Sequence, residues 1–321
     1  MELFIRTEAS AAVGVGHFMR CLAIAEEARA QGIAVCFLME AMEASLQARL
    51  RTLDIVCEIV TGPLGSDAMA VADRVGDNWL IVDSYRATSD YLAALDARTR
   101  LIVMDDLADV VPLPGRIVVN AAQSAADIPY DRIAPQAVKL LGPAYAPVRA
   151  EFRRVVEPGT GIAVMFGGSD PFALSEPVLA AIRSVLPEVP VRLIVGPANP
   201  RRDTLLALAN EHLDVMVDPT DLASGLAGSD LVVTAAGGSV NEIAALGLPA
   251  LAVVVADNQA AWLSACPFPV VDARGGLPGD FADRVHALCA DPDLRRRIAA
   301  TAHGMVDGQG VARIVSAIKS L

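Results

Sequence analysis

Several short segments combine glycine with groups that move a proton or hold an anion. The first is Gly14-Val15-Gly16-His17-Phe18-Met19-Arg20. Its glycines let the backbone turn tightly, the helix predicted to follow offers N–H donors to an anion, and His17 brings an imidazole that works as a base near neutral pH. The same spacing also suits a plain strand-to-helix turn in which His17 caps the helix. Phe166-Gly167-Gly168-Ser169-Asp170 and Ala235-Ala236-Gly237-Gly238-Ser239 each set glycines and a serine near a predicted helix start, as in loops that cradle a phosphate. Glu242 is expected in the first turn behind the second loop, where it either complements the helix dipole or grips ribose hydroxyls. Two such loops in one half of the chain point to a diphosphate-bearing nucleotide. Asp257-Asn258-Gln259 and Asp83-Ser84-Tyr85 each follow a predicted strand, with a helix cap and a strand-end turn as the respective alternatives to ligand contact.

Other candidates carry less. His212, His286 and His303 fall in stretches that read as exposed helix or helix ends. No two histidines stand four apart and no His/Cys cluster has zinc spacing, so no metal site is expected. Asp291-Pro292-Asp293 reads as a helix cap ahead of Leu294-Arg295-Arg296-Arg297 rather than a metal-binding pair. The first glycine loop has Met19 where a dinucleotide fingerprint needs its third glycine, and Glu40 alone is a weak ribose ligand. No nicotinamide or other cofactor is expected.

These loops need elements to hold them. Glu2–Thr7, Ile33–Met39, Trp79–Asp83, Leu101–Asp105 and Arg116–Asn120 read as strands, most of them apolar enough for a parallel sheet covered on both faces. Phe18–Ala30 reads as a helix that stops at Gly32. A second series follows: Gly161–Phe166, Val191–Gly196, Asp214–Val217, Leu231–Ala235, Ala250–Val255 and Val270–Asp272, with helices near Glu176–Leu186, Val240–Leu246 and Phe281–Ala290. The proline-bearing stretch Gly142–Gly159 reads as a linker. The expected fold is α/β, two Rossmann-like doubly wound domains, 1–150 and 151–321, facing each other across a cleft.

Composition sets outer bounds. The chain has 321 residues, 54% of them hydrophobic and 20% charged, which permits a large core and excludes a disordered chain. Its net charge of −12 argues against a nucleic-acid partner, because that affinity rests on Lys and Arg neutralising phosphates. Five cysteines without a C-x-x-C pair suit free thiols in a reducing compartment. The longest apolar run, Ile243–Ala256, is broken by Gly247 and Pro249 and falls short of the ~18 residues of a membrane span. A cytoplasmic monomer with no membrane partner is expected.

The loops also occur in a familiar order. Arg6, then Gly14-x-Gly16-His17-x-x-Arg20-Cys21-Leu22-x-x-Ala25, Asp83-Ser84-Tyr85, Leu141-Gly142-Pro143-x-Tyr145-Ala146-Pro147-x-Arg149-x-Glu151-Phe152, Phe166 to Pro171, Ala235 to Ser239 and Asn258-Gln259 span nearly the whole chain. Together they resemble the UDP-2,4-diacetamido-2,4,6-trideoxy-β-L-altropyranose hydrolases of pseudaminic acid biosynthesis and their spore-coat polysaccharide relatives. The segment from Gly237 to Glu242 also resembles the nucleotide-binding half of the lipid-II-forming N-acetylglucosaminyl transferases, which share the GT-B architecture. The resemblance implies hydrolysis of a UDP-sugar at its anomeric carbon, with inversion and without a metal. His17 would be the general base that activates water, with Asn258 and Tyr85 placing sugar and water. Gly14, Gly16, Arg20, Gly167, Gly168, Ser169, Ala236, Gly237, Gly238, Ser239, Glu242 and Gln259 would contact the UDP-sugar. Glu8 stands where the family has Asp, which bears on the sugar recognised. A glycosyltransferase with a UDP-sugar donor, or a nucleotide-sugar binding protein without turnover, would use the same loops.

Overall fold

Short aliphatic runs make two all-parallel sheets. The computed structural model describes residues 1–9 and 15–321, Ser45 and Asn258 in their backbone only, and Gly14 of the first glycine loop lies outside the described residues. One unit comprises Met1–Ala150 with Gln309–Leu321, the other Glu151–Gly308.

In the first unit the strands are β1 (Glu2–Thr7), β2 (Ala34–Met39), β3 (Val56–Ile59), β4 (Trp79–Asp83), β5 (Arg100–Met104), β6 (Ile117–Asn120) and β7 (Val138–Leu141). Their order is β3-β2-β1-β4-β5-β6-β7. The chain winds outward from β1 through β2 to β3, then crosses back to lay β4 on the other side of β1. Connections therefore leave β1 and β4 in opposite directions, which opens a crevice beyond their carboxyl ends. The β1–β4 register pairs Thr7 with Asp83 at the lip of that crevice.

The second unit repeats the plan. Its strands are β8 (Ile162–Met165), β9 (Val191–Val195), β10 (Leu213–Val217), β11 (Leu231–Ala235), β12 (Ala250–Val254) and β13 (Val270–Asp272), in the order β10-β9-β8-β11-β12-β13. Here the reversal lies between β8 and β11, and the two Gly-Gly-Ser loops follow those two strands. The fold is thus two Rossmann-like α/β units.

Cores form where apolar strands meet one stripe of each helix. Helix Gly16–Ala30 buries Phe18, Cys21, Leu22, Ala25 and Ala28 at the three- and four-residue spacing of one helical face, and Ala23 and Ile24 on its flanks, in a cluster with Leu3, Ile5, Phe37 and Trp79. The final helix, Gly310–Ser320, adds Val311, Ile314, Val315 and Ile318 to this same cluster. Each of these is worth roughly 1.5–3 kcal/mol when fully buried. That packing corrects the domain limits read from the sequence, because residues 309–321 join the first unit rather than the second.

Two strands, β3 and β7, have no counterpart in the sequence reading. Both lie at the edges of their sheet and are largely exposed or half-buried, so neither carries the continuous apolar run that marks a covered strand. Among the described residues no helix is long and apolar enough to cross a membrane.

Candidate active site

The crevice of the first sheet is filled by charged side chains. Helix Gly16–Ala30 begins just after the loop that follows β1, its N-cap position is Val15, and no side chain caps it. His17 is therefore not a cap. It sits in the first turn, 7% exposed, and its Nδ1 lies 2.6 Å from Oδ1 of the fully buried Asp83 at the end of β4. A carboxylate only accepts, so Nδ1 carries the proton and donates it to Asp83. In the neutral ring this tautomer has its lone pair on Nε2, the form of imidazole that takes a proton.

Arg20 lies three residues further along the helix and so on the same face. Its Nε donates to Asp83 Oδ2 at 2.6 Å and its Nη2 to Oδ1, while Nη1 forks onto Oδ1 and Oδ2 of Asp106 at 2.9 and 2.8 Å. Arg20 Nη2 also comes within 3.1 Å of His17 Nδ1, with both nitrogens aiming hydrogens at the same carboxylate. Thr7 Oγ1 donates to the Asp83 carbonyl at 3.0 Å and fixes the backbone beneath.

Burial alone would raise the Asp83 carboxyl, but the Arg20 charge and hydrogen bonds from Arg20 and His17 outweigh it and hold it below the usual carboxylate range. For Arg20, burial opposes the charge, yet Asp83 and then Asp106 keep the guanidinium above its ordinary value. Cys21 Sγ is 3.4 Å from Asp83 Oδ2, and burial and that negative charge push its thiol well up. Cys21 is thus a packed thiol with no nucleophilic thiolate.

Tyr85, 52% exposed, closes the group. Its Oη donates to Asp106 Oδ2 at 3.0 Å, and its ring meets the His17 ring edge-on at 4.5 Å and 80°. Burial and the neighbouring Asp106 raise its phenol above the ordinary range. A pocket opens beside it, bounded by Ser84, Met104, Asp106, Leu107 and Val110.

Nearby carboxylates have structural partners. Asp67 pairs with buried Arg6 and accepts from Tyr91, and Asp105 accepts from Tyr130 at 2.6 Å. Glu8 accepts from Ser84 and pairs with Arg86 at 2.9 Å, so its longer side chain is tied down. Sequence reasoning passed over Asp106 entirely and saw Asp83 only as part of a tripeptide. The one available signal was an acid at the end of an apolar strand, repeated at Asp83 and Asp105-Asp106.

The second crevice is built from backbone. Gly167 is left-handed at φ +70°, and a Cβ on Gly196 would fall 2.4 Å from Gly168 Cα, so the two backbones touch. One expectation needs correction here. Gly167–Ser169 do not sit at a helix start: the helix is Ser175–Val185, and the Asp170 carboxylate already accepts from the Leu174 and Ser175 amides at 2.9 and 3.0 Å. The other loop does open a helix, Gly238–Leu246, capped by extended Gly237 with no side-chain hydrogen bond. A Cβ on Gly237 or Gly238 would meet nothing within 4 Å, so this start faces open space. The same is true of Gly16 in the first unit.

Other expected contacts are redistributed. Glu242 lies in the second turn rather than the first, because the helix begins at Gly238 instead of Val240. Ala236 is buried and its amide bonds to the Val253 carbonyl at 2.7 Å, while Ser169 and Ser239 are half-buried. Gln259 folds back to accept from the Val255 amide at 2.9 Å, and Asp257 pairs with Arg274. The Asn258 side chain lies outside the described residues. His286 is exposed on a helix, His212 lies in a turn, and His303 is half-buried beside the Ala244 carbonyl. Asp291 caps helix Pro292–Met305 through the Leu294 amide, as its spacing implied. Among the described residues no three His, Cys, Asp or Glu side chains are grouped to hold a metal.

No family model matches the chain. An uncharacterized protein of Methanocaldococcus jannaschii is 22% identical over 276 residues, 81% of this chain, and the chain spans only 56% of that protein's length. Acinetobacter baumannii MurG has a similar structure, with TM-score 0.66 and 17% identity over all of both chains. Anabaena Alr3699/HepE, solved in complex with UDP-glucose, gives 0.65 and 14%, again over all of both. A glycosyltransferase from Rickettsia africae gives 0.61 and 10%, covering 99% of this chain and 98% of that one. At these identities the likeness is one of fold.

Proposed function

We propose that the chain is a UDP-sugar hydrolase, acting on a UDP-linked 2,4-diacetamido-2,4,6-trideoxyhexose by single inverting displacement. The observation that carries this reading is the His17–Asp83 pair: a buried carboxylate holds Nδ1–H and leaves Nε2 as the base. Water gives one proton to His17 Nε2 as its oxygen bonds to the anomeric carbon. The C1–O bond to UDP breaks, and its electron pair leaves on the diphosphate. Asp83 then faces an imidazolium, which it stabilises without taking the proton. Neighbouring Cys21 is a packed thiol, in keeping with direct attack by water rather than a covalent intermediate.

The leaving diphosphate suits the second unit. Helix Gly238–Leu246 opens with no side-chain cap, and a Cβ on Gly237 or Gly238 would meet nothing within 4 Å, so an anion can approach the amides of a helix start there. The UDP-glucose complex of the Anabaena protein agrees with a nucleotide sugar as ligand. Glu242, one turn in, is assigned to the ribose, and Asn258 with Tyr85 to the sugar and its water. The chemistry asks for no divalent ion, since UDP is already a good leaving group.

The test is proton NMR of the protein with UDP-diacetamido sugars, in EDTA and with no acceptor. Free sugar of inverted anomeric configuration is expected. The likeness to the Rickettsia africae glycosyltransferase favours a second reading, transfer to an acceptor. An intact UDP-sugar that is consumed only when an acceptor hydroxyl is added would establish that reading instead.

A further inference from the structure

We propose that Asp106 is a positioning residue that fixes the proton of Tyr85 and so turns the phenol oxygen into a pure acceptor. This inference rests on the hydrolase reading and adds the second anchor for the attacking water. The Tyr85 hydroxyl donates to Asp106 Oδ2 at 3.0 Å, and an ionised carboxylate has no hydrogen to return, so the direction of that bond is set. Asp106 is itself clamped by the fork from Arg20 Nη1 to both of its oxygens. Arg20 is locked to Asp83, Asp83 holds His17, and the His17 ring meets the Tyr85 ring edge-on. The five side chains form a closed circuit. Apart from the carboxylates, whose oxygens already accept from Arg20, His17 and Tyr85, two atoms keep a lone pair while the hydrogen of their own group is turned onto a carboxylate: His17 Nε2 and Tyr85 Oη.

That pairing is what a nucleophilic water requires. Water points a lone pair at a carbon when both of its hydrogens are held elsewhere. His17 Nε2 takes the hydrogen that is transferred, and Tyr85 Oη takes the one that stays. Burial and the Asp106 charge keep the phenol protonated, so its hydrogen remains on the bond to Asp106. In Asp106→Asn the amide would donate to Oη and turn the phenol hydrogen toward the water, reversing the water's orientation. Within this circuit Arg20 ties Asp83 to Asp106 through its fork.

Steady-state hydrolysis by wild type, Asp106→Asn, Asp106→Glu, Tyr85→Phe and the Asp106→Asn/Tyr85→Phe double variant tests the proposal. Asp106→Asn and Tyr85→Phe should each lower kcat about tenfold or more with KM within about twofold, as for an interaction made in the transition state. The double variant should be no slower than Tyr85→Phe, and Asp106→Glu should recover most of the rate. An unchanged kcat in Asp106→Asn, or losses that multiply in the double variant, would overturn the proposal. A second readout needs no turnover. Ultraviolet difference titration, with Tyr85→Phe identifying the Tyr85 share, should show Tyr85 ionising at lower pH in Asp106→Asn than in wild type. No difference there would overturn the role of Asp106, whereas a wild type that frees no sugar counts against the hydrolase reading alone.

Discussion

The two crevices share one topology and are furnished in opposite ways. At the β1/β4 reversal the elements and their ends carry His17, Arg20, Asp83, Tyr85 and Asp106, side chains in contact with one another. At the β8/β11 reversal they carry glycines and half-buried serines, and what they present is backbone. The difference teaches what each surface can do. On the proposed reading, a proton taken at one atom calls for a side chain held to a few tenths of an ångström by neighbours, whereas a diphosphate, with charge spread over several oxygens, suits amides whose direction a helix sets.

Substitutions can break that contrast from either side, and the largest effect is expected at His17, the proposed base. His17→Ala and His17→Asn should lose roughly 10²–10⁴-fold in hydrolysis, about 3–5 kcal/mol of barrier, while UDP affinity and fold persist. Near-normal turnover would leave the first crevice a purely structural network.

Removing Asp83 strikes the same crevice through stability. Asp83→Ala removes the fully buried partner of the half-buried Arg20, which keeps only Asp106, so the loss should fall below the roughly 3–5 kcal/mol of breaking a fully buried pair. The pH dependence follows from the depressed carboxyl. Its stabilisation is present above the unfolded carboxylate value of about 3.9 and is lost as pH falls through the lower folded value. Denaturant unfolding should therefore show wild type losing more stability than Asp83→Asn on acidification below about pH 4. Parallel losses in the two proteins would mean Asp83 is not held ionised.

In the second crevice a side chain should hurt the ligand and spare the fold. Gly238→Val adds atoms where a Cβ meets no protein atom within 4 Å. Calorimetry should show UDP affinity falling about tenfold or more, some 1.4 kcal/mol, with little change in melting temperature. Unaltered affinity would move the diphosphate off this helix start. The smallest effect is reserved for Asp170, whose carboxylate holds the start of helix Ser175–Val185. Asp170→Ala should cost about 1 kcal/mol of stability, the usual value of a lost cap, and leave UDP affinity where it was. A matching loss of UDP affinity would return that helix start to the ligand.

Much of this was legible before the fold was known, and the reasons are local. Both sheets follow from apolar runs such as Trp79–Val82 and Ala250–Val254, whose residues are buried. The edge strands β3 and β7 lack such runs. His17 stood out because glycine precedes it at a helix start. Its partners did not, because Asp83 is 66 residues away from His17 and Asp106 is 86 from Arg20. Only the crossing of the chain from β3 back to β4 makes those acids neighbours. Glycine loops advertise themselves in sequence. A cooperative cluster of ordinary charged residues does not.

Helix Gly310–Ser320 has a consequence in time as well as in space. Residues 151–308, a whole folding unit, are synthesised between the strand β7 and this helix. At a ribosomal pace of about 5–20 residues per second, the apolar face that receives Val311, Ile314, Val315 and Ile318 stays uncovered for roughly 10 seconds or more after the first sheet is made. The helix bearing His17 packs in that same cluster. A nascent chain therefore carries an open apolar face on its first unit, a natural site for chaperones, and it completes the packing around the helix that bears His17 only after the second unit has been translated.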